Sequence, residues 1–227
     1  MPDSQGRVSV RAGMKDGAPI AAASLLLGTS FGVLAEPVMG TVAPIVMSAI
    51  VFAGSAQFGA LAVLAAGGGA GAAIAAGVLL NMRYLPMGIS IAGSTEGGWF
   101  QRGMAAQPLI DAGWAMSHRG DGRYDVPYMW GVTAVNYPMW VGGTALGVFA
   151  GDLIGDPDRL GLDAIFPAFF LGLLVSEGHR GWRPLATALL GAAIALVLAP
   201  VTPPGVPVMA ACLAALVALL PPREVAP

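Results

Sequence analysis

The sequence predicts an all-α bundle of about seven to eight membrane segments, and three observations support this fold class. Hydrophobic residues make up 56% of the 227-residue chain and charged residues only 11%, whereas soluble domains carry about 25% charged residues. The mean hydropathy is +0.73. Residues 41–66 contain no formal charge, and as a helix they would be about 39 Å long, more than the roughly 30 Å of a bilayer's hydrocarbon core. One membrane domain is therefore expected at 18–220, between a cytoplasmic tail at 1–17 and a short tail at 221–227.

The small number of reactive and charged side chains argues against several classes of protein. A lone cysteine, Cys212, cannot form an internal disulfide, and His118 and His179 are too far apart in sequence for a zinc motif. The 11 basic and 13 acidic residues nearly balance, which argues against a nucleic-acid partner. An intramembrane hydrolase would need paired acids, a serine with a base, or a metal cluster within the spans, and Asp111 is the only clear acid within a segment. We therefore expect neither an enzyme nor a cofactor.

The N-terminal part of the chain is expected to be a tail followed by one span. Residues 1–17 are polar and lack the apolar core of a signal peptide. The first span is predicted at about 18–35, and Glu36 and Pro37 end it. Within this span Gly28 and Gly32 form a GxxxG face, which favours close packing of membrane helices.

The second segment, 41–66, is predicted to be broken near its centre at 54–57, which reads Gly-Ser-Ala-Gln. Glycine weakens a helix, and Ser55 and Gln57 bring polar groups to membrane depth. Backbone can loosen inside a bilayer only where protein or a water-filled cavity satisfies its N–H and C=O groups. Two interpretations follow. The break binds substrate, as the discontinuous helices of secondary transporters do, or Gly54 and Ser55 merely allow two helices to pack closely.

Ionisable side chains occur in the third span and in the short segment that follows it. The third span is predicted at about 70–91, and its Arg83 either faces the bundle interior or extends to the lipid headgroups. Asp111 lies in the middle of 104–117, which is apolar but short for an independent span. This acid is either functional and inward-facing or part of a surface amphipathic helix. If both charges face inward, we expect Arg83 and Asp111 to pair, because ionisable groups in membranes usually do.

An internal repeat is predicted from two similar stretches in the two halves of the chain. Gly28-Thr-Ser-Phe-Gly-Val-Leu-Ala35 recurs as Gly143-Thr-Ala-Leu-Gly-Val-Phe-Ala150. We therefore expect two related halves, at about 18–117 and 128–220. After a polar loop at 118–127, the second half is predicted to contain one span at about 128–150 and shorter apolar segments at 163–176, 184–199 and 206–220. The repeat would be inverted with an odd number of crossings per half and parallel with an even number, and the sequence leaves this choice open.

Two short motifs and their spacing resemble a known family. The first is Ala53-Gly-Ser-Ala-Gln-Phe58, and the second begins with Asn81-Met-Arg-Tyr84. They resemble the A-G-[AS]-[AS]-Q-F and [ND]-x-R-[HY] motifs of the AzlC family, the large subunits of bacterial branched-chain amino acid exporters. The resemblance extends from about residue 13 to about residue 220. A third family motif, usually Leu-Thr-Asp-Glu, is present only at Leu109 and Asp111, because Ala112 stands in place of the second acid.

The resemblance implies a transporter subunit in the bacterial cytoplasmic (inner) membrane that crosses it several times. Its substrates would be leucine, isoleucine, valine or another small neutral amino acid such as methionine, and it would work with a small membrane subunit of the AzlD type. Export against a gradient requires coupling, most simply to protons. The alternatives are a non-transporting scaffold subunit and an exporter of a different small organic solute. The substrate-binding residues expected from these patterns are Gly54, Ser55, Ala56, Gln57, Phe58, Asn81, Arg83 and Tyr84, and Asp111 is the expected proton-coupling residue.

Overall fold

The computed structural model describes residues 4–119, 122–154, 168, 171, 174–175, 182–202, 206–211 and 213–214. These residues are helical apart from turns, loops and an isolated bridge between His118 and Tyr124. The helices are α1 (Ser4–Met39), α2 (Val42–Val51), α3 (Gly54–Ala65), α4 (Ala70–Asn81), α5 (Tyr84–Ala92), α6 (Trp99–Ala106), α7 (Asp111–Ser117), α8 (Val126–Ile154), α9 (Trp182–Leu198) and α10 (Val206–Ala211). The all-α class is confirmed. Most of the segment predicted at 163–176, and residues 212 and 215–220 of the segment predicted at 206–220, lie outside the described residues.

The first helix begins at Ser4, well before the predicted start near residue 18, and it continues through Glu36 to Met39. Residues 4–17 are therefore not a separate tail. These polar residues include a packed face, because a Cβ atom at Gly13 would lie less than 3.0 Å from the carbonyl oxygen of Tyr128 and one at Gly17 would lie 3.0 Å from Cα of Val132 in α8. The hydroxyl of Tyr128 also donates a hydrogen bond of 3.0 Å to Asp16, which holds this part of α1 against the start of α8.

Helices α1 and α8 run in the same direction and meet along a seam of glycines. A Cβ atom added at Gly28 or Gly32 would lie less than 3.0 Å from a backbone oxygen of α8, and one at Gly143 or Gly147 would come as close to α1. The contacts are reciprocal, since Gly28 faces Trp140 and Thr144, while Gly143 faces the equivalent residues Leu25 and Thr29. The two GxxxG faces of the predicted repeat thus pack against each other. Their parallel direction fits the parallel form of that repeat.

Two helical stretches of the described chain, Ser9–Met39 and Ala70–Ala92, are long and apolar enough to cross a membrane. Shorter apolar helices occur at Val42–Val51, Gly54–Ala65 and Leu185–Leu198. The outer face of α4 and α5 exposes a row of large apolar side chains, consisting of Ile74, Val78, Met82, Leu85 and Ile89. Spacings of three and four residues place them on one helical face, as expected for a helix that faces lipid.

The third predicted span is tightened locally, whereas the predicted helix at 104–117 is interrupted. The third span turns tightly at Met82 and Arg83, where Met82 N–H donates to the carbonyl of Leu79. The 104–117 segment is two helices, α6 and α7, separated by residues 107–110. Pro108 ends α6 because proline has no backbone N–H to donate to the next helical hydrogen bond. Asp111 is consequently the first residue of α7 rather than the middle of a helix, and this prediction was wrong.

Candidate substrate cavity at the helix break

The break in the second segment is at Phe52 and Ala53, two residues before the predicted position. Phe52 has the left-handed conformation, with φ 43° and ψ 45°, and Ala53 is extended. Residues other than glycine seldom adopt left-handed backbone. The Phe52 ring packs edge-to-face on Tyr137 of α8, with ring centroids 5.0 Å apart. The broken helix is thus confirmed, and an aromatic contact with α8 lies at the break itself.

A cavity of about 520 Å³ lies beside this break. It is formed where the end of α2 meets the junction of α4 and α5, the connection between α6 and α7, and the middle of α8. Its lining residues are Ala49, Ile50, Val51 and Phe52, then Asn81 and Tyr84, then Gln107, Pro108 and Leu109, and from α8 Trp130, Thr133, Ala134 and Tyr137. The volume is within the range of about 300–1,000 Å³ that is typical of small-molecule sites.

Several polar groups at the cavity are hydrogen-bond acceptors. The last carbonyls of a helix have no intrahelical partners, and those of α2 belong to residues of the cavity wall. Tyr137 Oη donates to one of them, Ala49 O, at 2.8 Å. The Oδ1 atom of Asn81 is buried and has no hydrogen-bond partner in the described part of the chain. Because a buried acceptor without a donor costs free energy, Asn81 Oδ1 is well suited to a ligand that donates hydrogen bonds.

Arg83 and Asp111 form the ion pair that the sequence predicted. Arg83 Nη2 lies 2.9 Å from Asp111 Oδ2, and 34% of the arginine side chain and 55% of the aspartate side chain are exposed. The guanidinium carbon also lies 5.2 Å from the centre of the Tyr84 ring. Arg83 Nε is buried and donates to no atom among the described residues. Arg83 therefore turns towards Asp111, next to cavity residues Tyr84 and Leu109, and keeps one N–H group free.

The predicted binding residues separate into two groups. Asn81 and Tyr84 line the cavity, Arg83 lies against the Tyr84 ring, and Asp111 pairs with Arg83. The described cavity lining does not include 54–58. Of this second group Gln57 is fully buried, and its amide Nε2 and Oε1 atoms bond to Ser48 and Trp140. Gly54 lies against the Trp140 ring, which agrees with the interpretation that it allows close packing.

The sequence analysis missed the contribution of α8 to this site. Trp130, Thr133 and Tyr137 line the cavity, while Trp140 and Thr144 lie behind its wall. Their spacing of three or four residues places all five on one face of a helix. A stripe of aromatic and hydroxyl side chains within an otherwise apolar span was the signal that would have found them.

Comparison with known proteins agrees with the motifs that this site contains. The family described as AzlC protein matches residues 19–154, which is more than half of the chain. The chain belongs to the AzlC family. No solved structure matches it.

Two curated relatives are similar to this AzlC-family chain over most of its length. The branched-chain amino acid transport protein AzlC of Bacillus subtilis is 26% identical over 163 residues, which are 70% of this chain and 64% of the relative. The inner membrane protein YgaZ of Escherichia coli is 26% identical over 201 residues, which are 84% of this chain and 82% of the relative. The match therefore spans somewhat less than two thirds of the Bacillus protein.

Proposed function

We propose that the chain is the large subunit of a secondary transporter that exports leucine, isoleucine, valine or another small neutral amino acid, and that the cavity at the helix break binds this substrate. The name of the Bacillus relative supports the substrate class. One observation carries the proposal. The cavity has an acceptor without a partner among the described residues, which suits an ammonium group, and the Arg83 cation, which suits a carboxylate, lies against the ring of the lining residue Tyr84.

The ammonium group of the substrate would bind at the α2 end of the cavity. The C-terminal carbonyls of a helix carry partial negative charge and favour a cation. Asn81 Oδ1 adds a buried acceptor that has no other partner in the described residues. Three donors on an ammonium group match this set of acceptors.

The carboxylate would bind Arg83. Arg83 Nη2 contacts Asp111, but the buried Nε of the same arginine has no partner within the described chain. A guanidinium can bind a carboxylate through two parallel N–H groups, so a substrate carboxylate would compete with Asp111 for this arginine.

The aliphatic side chain of the substrate would contact the apolar part of the wall. Ile50, Val51 and Phe52 from the break and Trp130 and Tyr137 from α8 form this part of the lining. Burial of apolar surface contributes about 25 cal/mol per Å², so leucine should bind more tightly than alanine.

Competition for Arg83 suggests a coupling step. When the substrate carboxylate binds Arg83, Asp111 is released from its ion pair with this arginine, and we assign the coupling proton to Asp111. Asp111 has more than half of its side chain exposed, so water can reach its carboxyl group. Substrate and proton would thus be linked through one arginine.

The partner and the location belong to the same proposal. We expect several crossings of the bacterial inner membrane and a complex with a small AzlD-type membrane subunit. The Escherichia coli relative is named as an inner membrane protein, which supports the location. Export by this chain expressed without such a partner should be weak or absent, and full activity in liposomes containing this chain alone would contradict the need for a partner.

The proposal is tested by measuring saturable binding of radiolabelled leucine to the purified full-length protein. Arg83→Ala should weaken binding roughly ten- to hundredfold, because a charge-assisted hydrogen bond contributes about 1.5–3 kcal/mol. Arg102→Ala is the matched control, since Arg102 is an exposed residue of α6 outside the described cavity lining. Unchanged binding by Arg83→Ala would contradict the cavity assignment. No saturable binding by the wild-type protein, with or without its partner, would favour the scaffold alternative.

A further inference from the structure

Four side chains behind the cavity wall, together with the backbone carbonyl of Trp140, form a closed circuit of hydrogen bonds across the helix break. Ser48 belongs to α2, Gln57 to α3, and Trp140 and Thr144 to α8. Ser48, Gln57 and Thr144 have no exposed surface, and Trp140 has 6%. The circuit therefore ties both halves of the broken segment to the same helix.

The direction of every hydrogen bond in the circuit follows from donor and acceptor chemistry. Trp140 Nε1 donates to Gln57 Oε1 at 3.0 Å, and Gln57 Nε2 donates to Ser48 Oγ at 2.8 Å. The hydroxyl proton of Thr144 is used on the carbonyl oxygen of Trp140 at 3.0 Å. Ser48 must then be the donor in its 2.8 Å contact with Thr144, because a hydroxyl has a single proton.

This arrangement restricts the residue at position 57. The side chain there must accept from Trp140 and donate to Ser48 at the same time. An amide does both, whereas an ionised carboxylate only accepts. Gln57 has no exposed surface and both of its polar atoms have protein partners, so it is placed to hold protein segments together rather than to contact a ligand in the cavity.

We propose that Gln57 and Trp140 are positioning residues that fix the angle between α2 and α3 and thereby the shape of the cavity. The inference rests on the proposed function, since it takes this cavity as the amino-acid site. Ser48 directly precedes the lining residue Ala49. Tyr137, one turn before Trp140, bonds to Ala49 O. Displacement of Trp140 would therefore move the cavity lining at both Ala49 of α2 and Tyr137 of α8.

Gly54 supports this role for Trp140. A Cβ atom at residue 54 would lie 2.8 Å from Cη2 of the Trp140 ring. The indole thus covers the first residue of α3 at van der Waals distance, in a position that only glycine at 54 allows. Ring contact and circuit together place the start of α3 against α8.

The decisive variant is Gln57→Glu in the full-length protein. A protonated glutamic acid can replace the amide in the circuit, and burial raises the pKa of a carboxyl group. The protonated side chain of Gln57→Glu should stabilise the fold fully below the unfolded-state pKa of about 4.3. This stabilisation should be lost as the pH rises through the raised folded-state pKa of the same side chain. We therefore expect the melting-temperature gap between Gln57→Glu and the wild type to widen with increasing pH, whereas Gln57→Leu should show a gap that does not depend on pH.

Leucine binding tests whether the circuit shapes the cavity. The ratio of the Kd of Gln57→Glu to that of the wild type at the same pH should stay below about threefold in acid and exceed about tenfold above the raised pKa. Trp140→Phe keeps a ring but removes the N–H donor, and should weaken binding roughly three- to tenfold at every pH. Ser24→Ala is the control, because it removes a 2.7 Å hydrogen bond between α1 and α8 at Asn136, and should change the melting temperature but not the Kd.

Failure of the inference and failure of the proposed function would be seen in different measurements. A pH-independent melting-temperature gap for Gln57→Glu would show that the circuit does not form and would overturn the inference. A pH-dependent gap with a constant Kd ratio would show that the circuit does not shape the cavity, which also overturns it. Absence of leucine binding by the wild type would instead overturn the proposed function.

Discussion

The ion pair of Arg83 and Asp111 is the residue-scale feature that gives the site its charge. Arginine and aspartate come from different helices, and their charged atoms lie 2.9 Å apart. Both side chains keep some exposure, at 34% and 55%, so water screens the attraction and the pair contributes little to stability. A weak pair beside a cavity is easier for a substrate carboxylate to open than a buried one, which suits a binding role better than a structural one.

Asp111→Asn tests the coupling step. Asparagine keeps the size of the side chain but cannot bind and release a proton, so accumulation driven by a pH gradient should be lost while exchange of leucine across the membrane continues. Proteoliposomes loaded with unlabelled leucine measure exchange, and a pH jump measures accumulation. Glu96→Gln, at an exposed loop position, is the control and should retain both. Accumulation at the wild-type level by Asp111→Asn would remove Asp111 from the coupling mechanism.

The element-scale feature is the seam between α1 and α8. Gly28 and Gly32 of α1 meet Gly143 and Gly147 of α8 in reciprocal contacts. Without hydrophobic driving force between helices in lipid, close backbone approach and van der Waals packing hold them together. Since α8 also forms one wall of the cavity, this seam provides the fixed support against which α2 and α3 are arranged.

Gly143→Ala should destabilise the protein, and its neighbour Gly142→Ala should not. A Cβ atom at 143 would lie less than 3.0 Å from the carbonyl oxygen of Leu25, whereas one at 142 has no described atom within 4 Å. Overpacking typically costs about 1–3 kcal/mol, while alanine gains up to about 1 kcal/mol over glycine in a helix. Thermal unfolding in detergent compares the two. Equal melting temperatures would mean that the seam tolerates an extra methyl group and does not support the fold.

At the scale of the whole molecule, the start of the chain is attached to its middle by a cluster around Asp125. Asp125 accepts hydrogen bonds from Ser9 of α1, from Arg119, and from the backbone N–H of Tyr128. Burial opposes ionisation of this carboxyl, but the hydrogen bonds from Ser9, Arg119 and Tyr128 outweigh it and hold the Asp125 pKa below its usual value. The cluster lies just before α8 and sets where α1 and α8 begin to pack.

Asp125→Asn should make the stability of the protein less dependent on acid pH. A carboxyl whose folded-state pKa is lowered stabilises the fold above its unfolded-state pKa of about 3.9 and loses this effect as the pH falls through the folded-state value. Asp125→Asn should therefore melt below the wild type near pH 7, and the difference should shrink below about pH 4. Melting curves across this range measure the effect. A difference that stays constant with pH would show that the Asp125 charge does not stabilise the attachment of α1.

The sequence by itself determined the all-α membrane class, the family, the two matching glycine faces and the candidate pair of Arg83 and Asp111. These follow from composition and from motifs that are local in the chain, and such patterns reflect the solvent around a helix and the residues within a few turns. Composition and local motifs did not locate the start of α1 at Ser4, because the packed face of this part of the helix consists of glycines among polar residues.

Only the tertiary structure decided where the cavity lies and which residues line it. Phe52 adopts a left-handed conformation against its intrinsic preference, because the break depends on a contact with Tyr137, far away in sequence. The local motif around Gln57 would be the same whether its side chain faced a substrate or a protein partner. Only the hydrogen bonds to Ser48 and Trp140 show that Gln57 lies behind the cavity wall. The physical reason is that a helix pattern specifies which side chains share a face, whereas the packing of α2, α3 and α8 decides what that face meets.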